Sequence, residues 1–176
     1  MSFVHQVSEG EAGPPVQKLY QQVREHYGFV PNYFKAQGRL PDAIAGQLAL
    51  AAAVLQDGAL PKAIKEEIGL VVSGLNSSSY CIAAHMQVLH SLGVEESLGQ
   101  KLATDYARAP VSEKEMALFR FAEKLTRQPD EIEKRDVEAV LKAGWSEAAL
   151  VEAVLAVAWF SLINRVSLGL GLVADF

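Results

Sequence analysis

The chain has 176 residues, half of them apolar, and a formal net charge of −5 at neutral pH. This length fits one domain with a sizeable core, and the ordinary fraction of charged residues argues against disorder. The sequence has no basic tract, so the composition argues against nucleic acid as a partner.

Cys81 is the single cysteine, which excludes an internal disulfide and fits a reducing compartment. The N-terminal segment lacks the basic residues followed by an apolar run that mark a signal peptide. The longest apolar stretch, residues 148–163, is interrupted by Glu152 and followed by Asn164 and Arg165. It is too short and too polar for a membrane span. We therefore expect a cytoplasmic protein with no membrane partner.

Helical periodicity predicts an all-α fold, with an extended N-terminal arm over residues 1–15 and one helical domain over residues 16–176. Two glycines and two prolines oppose helix formation in the arm. No segment has the sustained period of two that a strand would show. The predicted helices are Val16–His26, Tyr33–Gln37, Asp42–Gln56, Lys62–Leu75, Ser79–Ser91, Glu95–Tyr106, Met116–Thr126, Glu133–Lys142 and Glu147–Leu168.

Helix-capping patterns and a weak internal sequence repeat add detail to this prediction. Residues 76–78 are expected to break one helix and cap the next, Ser112 with Glu115 forms a capping-box pattern, and Ser146 can cap the last long helix. Residues 61–68 resemble residues 146–153. Either the chain contains two related helical halves, or two amphipathic helices resemble each other by pattern alone.

Cys81 and His85 stand four residues apart, which places both side chains on one face of a helix, about one turn apart. The imidazole could then accept or relay the thiol proton. Cys81 is expected in the first turn of its helix, where the helix dipole favours the nucleophilic thiolate. On the residue pattern alone, a buried cysteine with a structural role is the more usual interpretation.

The segment from Glu66 to His85 resembles the core motif of the AhpD-like, or carboxymuconolactone decarboxylase, family. In that motif a glutamate is followed, after eleven residues, by Cys-x-x-Cys-x-x-x-His. Glu66, Cys81 and His85 match the glutamate, the second cysteine and the histidine, whereas Ser78 stands at the first cysteine. The resemblance extends over about residues 29–171. Other segments similar to the peroxidase-related subgroup are residues 29–32, 40–41, 121–126 with Pro129, 144–146, and Phe160 with 164–166.

This resemblance implies an AhpD-like helical bundle with a thiol-dependent hydroperoxide reductase activity. In the family, the second cysteine attacks the peroxide, the glutamate and histidine relay protons, and the first cysteine resolves the sulfenic acid by forming a disulfide. Carried over, Cys81 is the peroxidatic thiol, Glu66 and His85 are its proton-transfer partners, and Tyr80 shapes the site. The neighbouring Glu67 is expected to be solvated.

Ser78 departs from the family motif, because a serine cannot form the resolving disulfide. A sulfenic acid on Cys81 would need an external thiol reductant, or it would be over-oxidised. The Ser78 hydroxyl could still hydrogen-bond to the Cys81 thiolate and stabilise it. We therefore expect a one-cysteine antioxidant peroxidase that acts on hydroperoxides. Two alternatives stay open: the same acid–base site could act on a different substrate, or the protein could have lost redox activity.

Two other classes of function stay open. One is a non-catalytic helical oligomer that binds a small molecule or senses oxidation through Cys81. The other is a decarboxylase or isomerase like the lactone decarboxylase branch, which does not use this cysteine motif. A metal site of Glu66, Cys81 and His85 would lack a fourth ligand, because His90 is rotated off their helix face. Neither a metal nor a cofactor is therefore expected.

The alanine-rich helix over residues 42–56 and the apolar last helix offer surfaces for subunit packing, because small side chains allow helices to approach closely. Members of the family are typically homo-oligomers, so the resemblance implies a homo-oligomer here. Arg165 lies in the last helix and is expected to pair with a carboxylate of its own chain or of a neighbouring subunit. The alternative is that Arg165 lines the pocket near Cys81.

Overall fold

The computed structural model describes residues 2–176, which form nine α-helices, two 3₁₀ turns and no β-strand. The all-α prediction is confirmed, and every predicted helix is present within three residues of its expected bounds. The helices are α1 (Pro14–Tyr27), α2 (Asn32–Ala36), α3 (Pro41–Leu55), α4 (Lys62–Leu75), α5 (Ser79–Ser91), α6 (Glu96–Asp105), α7 (Glu113–Arg127), α8 (Lys134–Lys142) and α9 (Glu147–Gly169). The 3₁₀ turns are Tyr106–Arg108 and Pro129–Glu131.

The N-terminal arm is two residues shorter than predicted, because α1 begins at Pro14. Proline is tolerated in the first helical turn, where backbone N–H groups have no partner within the helix. The arm packs along the fold through backbone hydrogen bonds. The Phe3 N–H donates to the Leu170 carbonyl (2.9 Å) and the Val7 N–H donates to the Lys35 carbonyl (2.9 Å).

Helix capping follows the sequence prediction at two of three places. Ser112 and Glu115 form the capping box of α7, and the Ser146 hydroxyl caps α9. Ser78 is the N-cap residue of α5, but its hydroxyl makes no capping hydrogen bond, so that prediction was wrong. Its ψ is 87°, whereas Ser112 has the extended ψ of 155° that aims a hydroxyl at the helix amides.

Helix α4 lies at the centre of the molecule and packs against α5, α6, α7 and α9. The last helix, α9, is long and apolar enough to cross a membrane by length and composition alone, so the prediction that this stretch is too short and too polar for a span was wrong. In this fold it supplies core residues instead, among them Ala153, Ala156, Val157 and Phe160. The core therefore forms around α4 and α9, which cross in contact with each other.

A buried ion pair joins α4 to α9. Lys65 Nζ lies 2.9 Å from Glu152 Oε2 and donates to the carbonyls of Val54 (3.0 Å) and Gln56 (2.7 Å). The same carboxylate accepts a hydrogen bond from the Leu60 N–H (2.9 Å). A buried ammonium is tolerated when it is paired and hydrogen-bonded in this way. The network fixes the first turn of α4 beside α9.

Glu67 is buried, contrary to the expectation that it is solvated. Helices pack against α4 on more than one side, so two adjacent glutamates can both be covered. Glu67 Oε2 has no hydrogen-bond partner among residues 2–176. Burial, and then the negative charge of Glu115, raises the pKa of Glu67 from its ordinary 4.5 to about 7.

The free energy of unfolding should fall as the pH rises from about 4.5 to about 7, because Glu67 ionises earlier in the unfolded chain than in the folded one. The loss should be about 2 kcal/mol, allowing for partial solvent screening. Glu67→Gln should remove this part of the pH dependence. Urea unfolding at acidic and alkaline pH measures it, and exposed Glu138→Gln is the control. Equal slopes for the wild type and Glu67→Gln would contradict the assignment.

Candidate active site

Glu66, Cys81 and His85 all line one cavity of about 140 Å³, whose other lining residues come mainly from α1, α2, α3, α4, α5 and α9. The structure thus brings together the three residues that the sequence singled out. An apolar cavity of about 150 Å³ is large enough to hold a benzene ring. The aromatic side chains that line this cavity are Tyr27, Tyr33, Phe34, Tyr80, Trp159, Phe160 and Phe176.

Glu66 and His85 form a buried hydrogen-bonded pair, with Glu66 Oε2 2.8 Å from His85 Nδ1. Glu66 is 4 % exposed and His85 is 7 % exposed, so water does not compete strongly for the bond. A carboxylate at Nδ1 holds a proton there and leaves Nε2 as the acceptor. Nε2 has no hydrogen-bond partner within residues 2–176. The pair can therefore take up a proton from the cavity and stabilise the imidazolium.

The imidazole is oriented by an aromatic ring and by a glycine. The His85 ring packs edge-on against Phe160, with ring centroids 4.6 Å apart. A Cβ atom at Gly69 would lie 2.6 Å from His85 Cε1, so the ring fits because position 69 has no side chain. Sequence reasoning missed Gly69. The sequence feature that could have identified Gly69 is its place inside a predicted helix. A glycine there costs about 1 kcal/mol relative to alanine, so its presence indicates close packing.

Cys81 is 2 % exposed and is the third residue of α5, close to the positive end of the helix dipole. Its thiol donates a hydrogen bond to Ser167 Oγ on α9 (3.5 Å). If the thiol ionises, the Ser167 hydroxyl can reverse its role and donate to the thiolate. Sequence reasoning missed Ser167 as well, because only the crossing of α5 and α9 brings it to the cysteine.

The predicted hydrogen bond between Ser78 and the Cys81 sulfur is absent. Ser78 Oγ is fully buried and has no hydrogen-bond partner in the described part of the chain. The thiol is directed towards α9 instead, where the Ser167 hydroxyl accepts its hydrogen bond. Ser78 therefore stands at the motif position of the first cysteine without a hydrogen bond to Cys81.

Tyr80 forms part of the cavity wall, and its hydroxyl links two other segments. It accepts a hydrogen bond from the Tyr33 N–H (3.2 Å) and donates to Asp175 Oδ1 (3.4 Å). Burial raises the pKa of Tyr80 well above its usual range, and the nearby Asp175 adds to the shift. Burial, and then the charge of Glu66, raises the pKa of Tyr27 to about 12. Both phenols therefore stay neutral at physiological pH.

Asn164 and Arg165 lie on opposite faces of α9. The buried Asn164 amide accepts from Asn76 (2.9 Å) and donates to the Ser73 hydroxyl (3.0 Å). Arg165 is exposed, donates to the Ser161 carbonyl (3.0 Å) and makes no ion pair within residues 2–176. The prediction that it pairs within its own chain or lines the pocket was wrong, because α9 turns it towards solvent. Pairing between subunits stays a prediction.

Residues 41–124 match the model of the carboxymuconolactone decarboxylase family, and this region contains Glu66, Cys81 and His85. Over these 84 of its 176 residues the chain is similar to the carboxymuconolactone decarboxylase family. No curated protein matches the chain. No group of three or more metal-binding side chains with suitable geometry occurs in the part of the chain that the structure describes.

Several solved structures share the fold of this AhpD-like protein. An alkylhydroperoxidase AhpD core, a peroxidase-related protein from Ralstonia eutropha JMP134, has a TM-score of 0.91 at 24% identity, covering 99% of this chain and 92% of that chain. A peroxidase-related protein from Silicibacter sp. TM1040 has a TM-score of 0.87 at 26% identity, covering 97% and 92%. The debrominase Bmp8, as a cysteine-to-alanine variant in complex with 2,3,4-tribromopyrrole, has a TM-score of 0.82 at 18% identity, covering 99% and 92%.

Gly69→Ala should displace the His85 ring and break its hydrogen bond to Glu66, because the added methyl group would overlap the imidazole. The downfield NMR signal of a hydrogen-bonded Nδ1 proton should be lost. Gly46→Ala is the matched control, since nothing lies within 4 Å of a Cβ at that position. It should keep the signal and stabilise α3 by about 0.5–1 kcal/mol. Retention of the signal in Gly69→Ala would contradict the packing argument.

Ser167→Ala should lower the rate of Cys81 alkylation by iodoacetamide at neutral pH about tenfold, because the thiolate loses its hydrogen-bond donor. Ser78→Ala should leave that rate unchanged, because the Ser78 hydroxyl makes no hydrogen bond to the sulfur. Alkylation followed by mass spectrometry measures both. A similar decrease in the two variants would mean that the nearby hydroxyls act by packing alone.

Proposed function

We propose that this protein is a one-cysteine thiol peroxidase that reduces small organic hydroperoxides, with Cys81 as the nucleophile. The observation that carries the proposal is the buried Glu66–His85 pair, which faces the same cavity as the Cys81 thiol. A nucleophile beside a base that is itself oriented by a third group is the arrangement that thiol catalysis requires. The names of the two peroxidase-related structures agree with this reaction class.

In the proposed reaction, His85 Nε2 first takes the Cys81 proton across the cavity. The thiolate attacks the terminal oxygen of the hydroperoxide, so that an S–O bond forms and the O–O bond breaks. The departing alkoxide takes the proton from the imidazolium and leaves as the alcohol. Cys81 is then a sulfenic acid, and the peroxide has been reduced by two electrons.

An external thiol must complete the cycle, because Cys81 is the single cysteine of the sequence. One thiol condenses with the sulfenic acid to give a mixed disulfide and water. A second thiol displaces Cys81 from that disulfide and restores it. The thiol pool of a reducing cytoplasm would supply both, in agreement with the compartment expected from cysteine usage.

The decisive assay is hydroperoxide consumption by the purified protein with dithiothreitol. Cys81→Ser should abolish turnover. Glu66→Gln should lower kcat/KM about 100-fold, because the imidazolium loses its buried counter-charge. The control is the adjacent Glu67→Gln, also isosteric and also buried, which should leave kcat/KM unchanged because Glu67 does not line the cavity.

The result that would overturn the peroxidase proposal is a single, stoichiometric oxidation of Cys81 without further peroxide loss. That result would select the redox sensor instead. Turnover that persists in Cys81→Ser would remove the cysteine from the chemistry and favour an acid–base reaction such as that of the decarboxylase branch.

A second candidate reaction is reductive dehalogenation of a small halogenated aromatic compound. The observation that favours it is an apolar, aromatic-lined cavity of ring size in a fold shared with a debrominase that holds tribromopyrrole. The Cys81 thiolate would attack the bromine, the C–Br bond would break, and the ring carbon would take a proton from His85. An external thiol would then release bromide by forming a mixed disulfide, and a second thiol would free Cys81.

Bromide release from 2,3,4-tribromopyrrole, measured with the same protein and dithiothreitol, separates the two reactions. A peroxidase should consume cumene hydroperoxide and release little bromide. Bromide release that depends on Cys81, in the absence of peroxide turnover, would select the dehalogenase.

We also propose that the exposed face of α9 pairs with a second copy of the chain. Val151, Val154, Leu155 and Leu162 are exposed at helical spacing on one face of α9. Small exposed residues of α3, which contacts α9, continue this apolar surface. Contiguous apolar patches of this kind mark interaction sites in folded proteins.

Leu155→Glu should convert the oligomer to a monomer, because the buried carboxylate would have no partner in an apolar interface. Sedimentation velocity measures the change. Glu147→Gln, in the first turn of the same helix, should keep the assembly. A wild-type protein that sediments as a monomer at all concentrations would contradict the interface.

A further inference from the structure

The segment after α9, residues 173–176, is held against the rim of the cavity by contacts with two other helices. Asp175 Oδ2 accepts a hydrogen bond from the Asn32 N–H (2.9 Å), and Asp175 Oδ1 accepts from the Tyr80 hydroxyl (3.4 Å). The Asn32 side-chain amide also donates to the Val173 carbonyl (3.2 Å). The segment is therefore tied to α2 through Asn32 and to α5 through Tyr80.

The path of the chain into this segment is also fixed. Gly171 has a φ of +61°, which reverses the chain after α9. The Leu172 N–H donates to the Ser167 carbonyl (2.9 Å), and the Leu172 side chain is buried in the core formed by α1 and α2. Buried Leu172 anchors one end of the segment, and Asp175 anchors the other.

The two hydrogen bonds of Asp175, to Asn32 and Tyr80, form a clamp that places the Phe176 ring in the cavity wall. Its centroid lies 5.2 Å from that of Tyr80 and 6.2 Å from that of Phe29, and it lines the same cavity as Cys81. Phe176 is 39 % exposed, so one side of the ring faces the cavity and the other faces solvent. A ring in that position narrows the cavity on the side where Phe176 meets solvent.

We infer that Phe176, held by the Asp175 clamp, is a specificity-determining residue that narrows the cavity beside Cys81 and so favours compact, ring-sized ligands over chain-shaped ones. With the ring in place, the space beside Cys81 is about 140 Å³, close to the size of one aromatic ring. A long alkyl chain that extends past Tyr80 would have to displace the Phe176 ring. The inference rests on the proposed function for its substrate class, a compact aryl hydroperoxide, but the size filter itself concerns binding.

Binding tests the filter without any turnover. In a Trp145→Phe background, Trp159, which lines the cavity, is the one remaining tryptophan and reports the arrival of a quenching ligand. Bromobenzene is the compact probe and a dibrominated stearate is the long one. Wild-type Trp159 should be quenched by bromobenzene and at least tenfold less by the stearate at equal concentration.

Phe176→Ala and Asp175→Ala should each raise quenching by the stearate to the level of bromobenzene, the first by removing the ring and the second by releasing it. Val173→Ala is the matched control on the same segment, because its exposed side chain does not line the cavity and its carbonyl is retained. It should behave as the wild type does. Circular dichroism checks that every variant is folded.

Two results would overturn the inference. One is equal quenching of the wild type by both probes. The other is stearate quenching that stays low in Phe176→Ala. If Phe176→Ala raises quenching by the stearate but Asp175→Ala does not, Asp175 does not hold the ring in place, and the clamp is overturned.

Peroxide turnover is measured separately, as the ratio of kcat/KM for linoleic acid hydroperoxide to that for cumene hydroperoxide. The ratio should rise at least tenfold in Phe176→Ala. If no variant turns over either peroxide and the quenching pattern holds, the proposed function fails while the size filter stands. If both peroxides turn over with an unchanged ratio and unchanged quenching, the filter fails while the peroxidase stands.

Discussion

Three consecutive charged residues, Lys65, Glu66 and Glu67, are buried because other helices, chiefly α5, α6, α7 and α9, pack around α4. A buried charge must be paired or neutralised, and the fold uses a different solution at each position. Lys65 is paired with Glu152 and two backbone carbonyls. Glu66 is hydrogen-bonded to His85. Glu67 has no such partner, and its raised pKa keeps much of it neutral near pH 7.

The hydrogen-bonded pair of Glu66 and His85 gives the site its acid–base chemistry. Glu66 and His85 are separated from bulk water, so their hydrogen bond is electrostatically stronger than the same bond at the surface. Gly69 and Phe160 hold the imidazole in one orientation beside the cavity. The acid–base pair is thus positioned by packing, before any substrate arrives, which is the arrangement that proton transfer requires.

The thiol is controlled by a separate set of groups. Cys81 lies in the first turn of α5, and its hydrogen-bond partner, Ser167, comes from α9. The same helix supplies Phe160 to the histidine and leads into the segment that carries Asp175 and Phe176. Helix α9 therefore contacts both the cysteine and the histidine of the site. This dependence explains why a long apolar helix that resembles a membrane span by composition is retained in the core.

The sequence by itself determined the helical fold, because the 3.6-residue periodicity and the breaks between helices are local properties of the chain. It also identified Glu66, Cys81 and His85, because these residues match the spacing of a family motif that runs from α4 into α5. Only the tertiary structure decided which other groups meet them. Ser167, Gly69 and Asp175 are distant in sequence or unremarkable in type, and they act through the crossing of helices. The burial of Glu67 was likewise set by packing, and the backbone angle of Ser78 left its hydroxyl without a capping hydrogen bond. Local sequence pattern encodes neither.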